Sequence, residues 1–194
     1  KFFDKVLDIK HCYLQKDPSN DIRLFIKKYA VENGLDFFDI RQNVGYVRNM
    51  FIRTTDTGDL MVIMCFFYEN REDREKMLDA IAEAFPQITS LYYIINNKLN
   101  DSIGDQECIL YKGEPTIRET MESLTFRIGP KSFYQTNSEQ AYKLYSVARD
   151  FAWLLNDEDI ESVPENDRMG LGFHVGKFFD KVLDIKHCYL QKDP

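Results

Sequence analysis

The sequence predicts an α+β fold: a largely antiparallel sheet with helices packed on one face. Three observations carry that expectation. Residues 19–33, 72–85 and 138–155 repeat their apolar side chains at the spacing of a helical turn. Between the first two of these helices, and again between the second and third, lie short runs rich in β-branched and aromatic residues, several joined by tight-turn sequences. One of those runs, residues 60–68 (LMVIMCFFY), is apolar on both faces, which suits a strand at the centre of a sheet.

Taken in order, residues 19–33 place Ile22, Phe25, Ile26, Tyr29 and Ala30 on one helical face. Ser19 or Asn20 is placed to cap the first amides and Gly34 to end the helix. Residues 46–54 and 60–68 then form a hairpin through Asp56-Thr57-Gly58-Asp59. In residues 72–85, Met77, Leu78, Ile81, Ala82 and Phe85 face inward and Pro86 closes the helix. A strand at 90–96, a polar loop at 97–106, and short strands at 107–111, 116–120 and 124–128 follow, with Lys112-Gly113-Glu114-Pro115 as a turn. The third helix, 138–155, carries Ala141, Leu144, Ala148, Phe151 and Leu155 on one stripe. Residues 156–169 are acidic and unpatterned, a loop or linker.

The ends of the chain are unusual. Residues 1–18 (KFFDKVLDIKHCYLQKDP) recur letter for letter as residues 177–194. Coincidence cannot give an identity this long, and two copies do not make a solenoid. The chain reads as permuted or partly duplicated. Within the repeat, Phe3, Leu7, Ile9 and Tyr13 alternate with more polar neighbours as in a half-buried strand. Two copies of one strand compete for one place in a sheet. One is expected to pair natively while the other is displaced or swaps into a neighbouring molecule, giving a segment-swapped dimer.

At 194 residues, 44% hydrophobic and 14% aromatic, the chain can bury a sizeable core. A net charge of −7 argues against a general nucleic-acid coat but leaves room for a local basic surface. The apolar runs are too short to span a membrane, and no secretion signal is visible, so a cytoplasmic location with free thiols and no membrane partner is expected. Cys12 and Cys188 are one position written twice, and there is no CxxC pair to suggest a self-contained zinc site.

Three stretches could carry chemistry. In residues 126–137 (FRIGPKSFYQTN), Phe133 and Tyr134 could stack on a flat ring and Gln135 could read donor and acceptor edges. On periodicity alone, aromatics that plug the core and a helix cap at Asn137 or Ser138 explain the same letters. In residues 171–191, His174 could be a base or ligand, although a lone histidine beside apolar residues is more often structural. His187 and Cys188 are adjacent, so on a strand they would face opposite sides and could not readily share a metal ion. In residues 44–53, Arg48 and Arg53 interrupt an apolar strand. The guanidinium fork suits phosphate, although a solvated edge or an ion pair accounts for them as well. No glycine-rich phosphate loop, GxSxG or HExxH is present.

Together LGFHVGKFFDKVLDIKHCYLQ (171–191), GYVRNMFIRT (45–54) and LTFRIGPKSFYQTNSEQAYKLY (124–145) resemble the RNA uracil-5-methyltransferases of the TrmA/RumA type, across nearly the whole chain. In that family the segment like 153–194 precedes the segment like 19–152. The resemblance therefore implies that residues 1–194 are a single central, RNA-binding-cleft domain in permuted order, with 1–18 duplicating 177–194 and the methyl-donor domain absent. It implies transfer of a methyl group from S-adenosylmethionine to C5 of a uridine in rRNA or tRNA. A cysteine would attack the extruded base and a glutamate would remove the C5 proton. Neither residue has a counterpart in this chain, so no catalytic residue is expected in it and the segment alone would be inactive. The resemblance places Gln135 near the methyl donor and Phe133 near the target base. For such an RNA-facing domain, Arg48, Arg53 and Lys131 are the expected phosphate contacts, from their charge. In cluster-bearing members, the position of Cys12 and Cys188 is the fourth ligand of a 4Fe-4S cluster. One thiolate cannot hold such a cluster, so none is expected here, only in an intact protein. The competing expectation is a non-enzymatic RNA- or protein-binding adaptor.

Overall fold

Seven apolar side chains in a row leave strand β2 (Leu60–Phe66) no face to turn toward water, and all seven are buried. The computed structural model, which describes residues 8–153, 172–175 and 181–184, covers that strand on every side. It is flanked in a four-stranded sheet of order β1-β2-β3-β4 by β1 (Val47–Thr54) and β3 (Ser90–Ile95), with β4 (Ile109–Gly113) at the far edge. β1 pairs with β2 antiparallel and β4 with β3 antiparallel. β2 and β3 run parallel, joined by helix α2 (Arg71–Ala84) as a crossover. The α+β expectation holds, and this parallel pair is the exception within an otherwise antiparallel set.

Because side chains alternate along a strand, β2 divides its residues between two cores. Val62, Met64 and Phe66 pack with Ile22 and Ile26 of helix α1 (Ser19–Glu32) and with Met77, Leu78 and Ile81 of α2. Met61, Ile63 and Cys65 face the other way, onto Ile117 and Ile128 from the hairpin of β5 (Ile117–Met121) and β6 (Leu124–Ile128). So α1 and α2 lie on one face, as expected, and the opposite face is covered by the hairpin. Helix α3 (Ser138–Trp153) begins on the hairpin side, where Ser138 bonds to Glu119 of β5. Of its predicted stripe, Ala141 is buried and Leu144 is exposed.

The chain divides into two compact units, residues 1–142 and 143–194. In the second, β7 (Gly172–Val175) and β8 (Lys181–Asp184) form an antiparallel hairpin that pairs His174 with Val182. His187 and Cys188 lie outside the described residues.

Two expectations near the N-terminus are corrected. Residues 8–18 form no strand: Ile9 is half-exposed, and Tyr13 and Leu14 stand almost wholly in solvent. The segment is tied instead to α1, where Arg23 donates to the Ile9 carbonyl at 2.7 Å and Lys27 pairs with Asp8 at 2.5 Å. Asp8 is therefore outside any strand, while its copy Asp184 is in β8. Nor do Ser19 or Asn20 cap α1. The helix starts from Pro18 with no side-chain cap, because the Asn20 amide is spent on Cys12, accepting from its N–H at 2.9 Å and donating to its C=O at 3.2 Å. A local cap lost to a longer-range pair of hydrogen bonds costs α1 little, since its buried face holds it in place.

Turn chemistry is met as expected at Gly34 and Gly58, which have φ of +65° and +90°. Gly113 is more constrained. Its φ is +89°, and a Cβ there would sit 2.1 Å from the Thr89 carbonyl oxygen, which accepts from Glu114 N–H at 2.8 Å. Gly113→Ala should cost distinctly more than ~1 kcal/mol, because backbone strain and a clash add. Gly34→Ala, with open space around it, should cost about 1 kcal/mol from strain alone. Urea denaturation of the two variants checks the difference.

Candidate functional site

Residues 129–137 leave β6 and run to the start of α3, and they are fastened from two sides. Arg53, on β1, donates through Nη1 to the Ser132 carbonyl at 2.6 Å and to the Gly129 carbonyl at 3.4 Å. The turn is closed on itself by Ser132, whose Oγ accepts from Gly129 N–H at 3.0 Å and whose N–H donates to the Gly129 carbonyl at 3.2 Å. Lys131 spends one of its three donors on the Gly104 carbonyl at 3.1 Å. At the far end the Asn137 side chain caps α3, accepting from Gln140 N–H at 3.1 Å.

The second fastening is Glu119. Its carboxylate is fully buried on β5. Oε2 accepts from Tyr134 Oη at 2.6 Å, Ser138 Oγ at 2.8 Å and Asp56 N–H at 2.9 Å, and Oε1 accepts from Thr120 N–H at 3.0 Å. Burial by itself raises a carboxyl pKa. Here the hydrogen bonds from Tyr134, Asp56, Ser138 and Thr120 outweigh it and hold Glu119 below the ordinary range, so it is ionised. The same burial and the adjacent carboxylate push the Tyr134 phenol up, keeping its proton in place as a donor.

With Tyr134 drawn inward, its neighbours on either side are left outside. Phe133 is 88% exposed and Gln135 is exposed. The structure thus brings an aromatic face and an amide to the surface of one pinned loop. The two explanations weighed for this stretch divide it between them: Tyr134 plugs the core and Asn137 caps, while Phe133 and Gln135 do neither.

Arg48 is placed differently. Its side chain is 1% exposed, and the guanidinium donates to the carbonyls of Asn96 at 2.9 Å, Lys98 at 2.6 Å and Asn100 at 2.9 Å. Nε and Nη2 each reach Asp101 Oδ1 at 3.1 Å, and the Phe38 ring lies 4.3 Å beneath the guanidinium. Every donor is committed to folding the 96–101 loop, which leaves none for a phosphate. Arg53, likewise, holds the 129–132 turn.

No group of three or more His, Cys, Asp or Glu side chains among the described residues could hold a metal ion, so they do not make a site for an iron–sulfur cluster around Cys12. Cys188 lies outside the described residues. Burial pushes the Cys65 thiol up to about 12 and raises that of Cys108, which makes both poor nucleophiles. Among the described residues no helix is long and apolar enough to cross a membrane.

Glu119 was missed in the sequence, although a signal was there. Alternation in IRETM puts Glu119 on the same face as buried Ile117, a charge in an inward register.

The chain matches no family model. It is 56% identical over 158 residues to an uncharacterized RNA methyltransferase of Porphyromonas gingivalis, covering 80% of this chain and 34% of that protein. An uncharacterized RNA methyltransferase of Bacteroides thetaiotaomicron is 52% identical over 159 residues, covering 80% and 35%. Among solved structures it resembles the Pyrococcus abyssi tRNA (uracil-54, C5)-methyltransferase in complex with S-adenosyl-L-homocysteine. That match has a TM-score of 0.61 and 26% identity, over 76% of this chain and 35% of the other. The chain spans about a third of the length of these relatives.

The lowered pKa of Glu119 fixes a sign. Its contribution to stability is complete above the unfolded-state pKa and is lost as pH falls through the lower folded-state value. Melting temperature followed from pH 7 downward should therefore fall more steeply in the native protein than in Glu119→Gln. Arg48→Ala strands the carbonyl of buried Asn96 and releases those of Lys98 and Asn100, and should cost about 2 kcal/mol in chemical denaturation, with faster amide exchange confined to residues 96–101.

Proposed function

We propose that this chain, which belongs to the RNA uracil-5-methyltransferase family, is the substrate-facing segment of an S-adenosylmethionine-dependent enzyme that methylates uridine in cytoplasmic tRNA or rRNA. The observation that carries the reading is the pair Phe133 and Gln135, held outward on a loop pinned by Arg53 and Glu119. A solvent-facing phenylalanine on a fixed backbone offers a stacking platform to a base taken out of its helix. Beside it, the Gln135 amide offers one donor and one acceptor to the methyl donor or the base edge. Lys131, on the same turn, keeps two of its three donors for a phosphate.

S-adenosylmethionine supplies the methyl group in this family. One exposed amide does not make a binding pocket for it, so the residues here contribute a contact and no step of the transfer. Their work is to receive the base and orient it. The likeness to the Pyrococcus abyssi enzyme, whose substrate is a tRNA uracil, supports the tRNA reading over the rRNA one.

The test is cross-linking of a short RNA carrying 4-thiouridine, with the contact mapped by mass spectrometry. Phe133 should be the main site. Phe133→Ala should weaken binding by ~1–3 kcal/mol, the worth of one stacked base, at an unchanged melting temperature because the side chain is not in the core. Cross-links spread over the surface, with affinity unchanged in Phe133→Ala, would reject the reading and leave an adaptor role.

A further inference from the structure

Glu119 poses a question the fold does not answer. Among the described residues no cation bonds the buried Glu119 carboxylate directly, although Lys16, paired with Asp56, lies close enough to be felt; an apolar side chain at this inward position would extend the core formed by Ile117, Ile128 and Ile63. What the carboxylate does that an apolar residue could not is join separate parts of the chain. Asp56 belongs to the turn between β1 and β2, Tyr134 to the 129–137 loop, and Ser138 is the first residue of α3. All three donors converge on one oxygen, Oε2. The Tyr134 and Ser138 hydroxyls also touch each other, so two protons are shared among three oxygens and each contact fixes the others.

We propose that Glu119 is the positioning residue of this site: its carboxylate draws Tyr134 inward and thereby sets the presentation of Phe133 and Gln135. The function assigned to those two residues rests on the family reading above; the mechanical role of Glu119 rests on the contacts alone. Arg53 works from the other end of the loop, so the segment between Ser132 and Ser138 is held at both ends with its two recognition side chains outside.

Two variants test this. Glu119→Gln keeps the shape but removes the charge and turns one of the two acceptor oxygens into a donor; Tyr134→Phe deletes a single hydroxyl. Hydrogen exchange read by mass spectrometry should show amides of residues 132–137 opening about tenfold faster in both variants, as expected for loss of roughly one hydrogen bond. Amides of β2 should be unaffected. In the 4-thiouridine experiment the share of cross-link at residue 133 should drop in both variants while other contacts persist. A purely structural role would not produce that redistribution. Unchanged exchange at 132–137 in both variants would overturn the proposal. So would equal acceleration in β2, which would make Glu119 a general core residue. If exchange responds as described but the native protein gives no cross-link at Phe133, the positioning role stands and the assigned function of Phe133 fails.

Discussion

Strand β2 has to be dry on both faces, and the remainder of the first unit is arranged around that requirement. A sheet covered on one side only would leave Met61, Ile63 and Cys65 in water. These side chains amount to several kcal/mol of burial at the ~25 cal/mol per Å² typical of apolar surface. Helices α1 and α2 meet the requirement on one face. On the other the chain uses a two-stranded hairpin, which is thinner than a helix layer and is extended by the loop that follows it. The loop that bears Phe133 and Gln135 is where it is because Tyr134 completes the cover over β2. Site and core are thus parts of one packing solution.

Much of this was legible in the letters. The all-apolar run of β2 announces a central strand, and glycines at 34 and 58 announce where chain direction changes. What was not legible shares a physical cause. Asn20, Arg48 and Glu119 are polar residues whose partners lie far away in sequence or in loops without periodicity: Asn20 bonds Cys12, Arg48 bonds residues 96–101, and Glu119 bonds Asp56, Tyr134 and Ser138. Local propensity offers Asn20 as a cap and leaves Arg48 open between a phosphate ligand and an ion pair, because it cannot see who else is near. The repeat gives the same lesson from identical letters. Asp184 lies in a strand and Asp8 does not, since β8 has β7 beside it while residues 8–18 have α1.

Charge is spent unevenly. The protein carries a net −7, yet Arg48, Arg53 and Arg74 are all turned to internal use, Arg74 against Glu69 and over the Tyr93 ring. On the proposed function, RNA recognition by such a surface would lean on stacking and hydrogen bonding more than on neutralised phosphates, and so would depend less on salt than binding by a basic patch.

The way residues 8–12 are held against α1 has a consequence for how freely that segment can vary. Asn20 grips both the N–H and the C=O of Cys12, and Arg23 grips the carbonyls of Ile9 and Lys10. These grips are on backbone atoms, which every residue type except proline presents alike. Apart from Asp8, whose side chain meets Lys27, the address that brings the segment home is written in the helix at positions 20 and 23, and the letters at 9, 10 and 12, Cys12 among them, are open to be chosen for some other purpose.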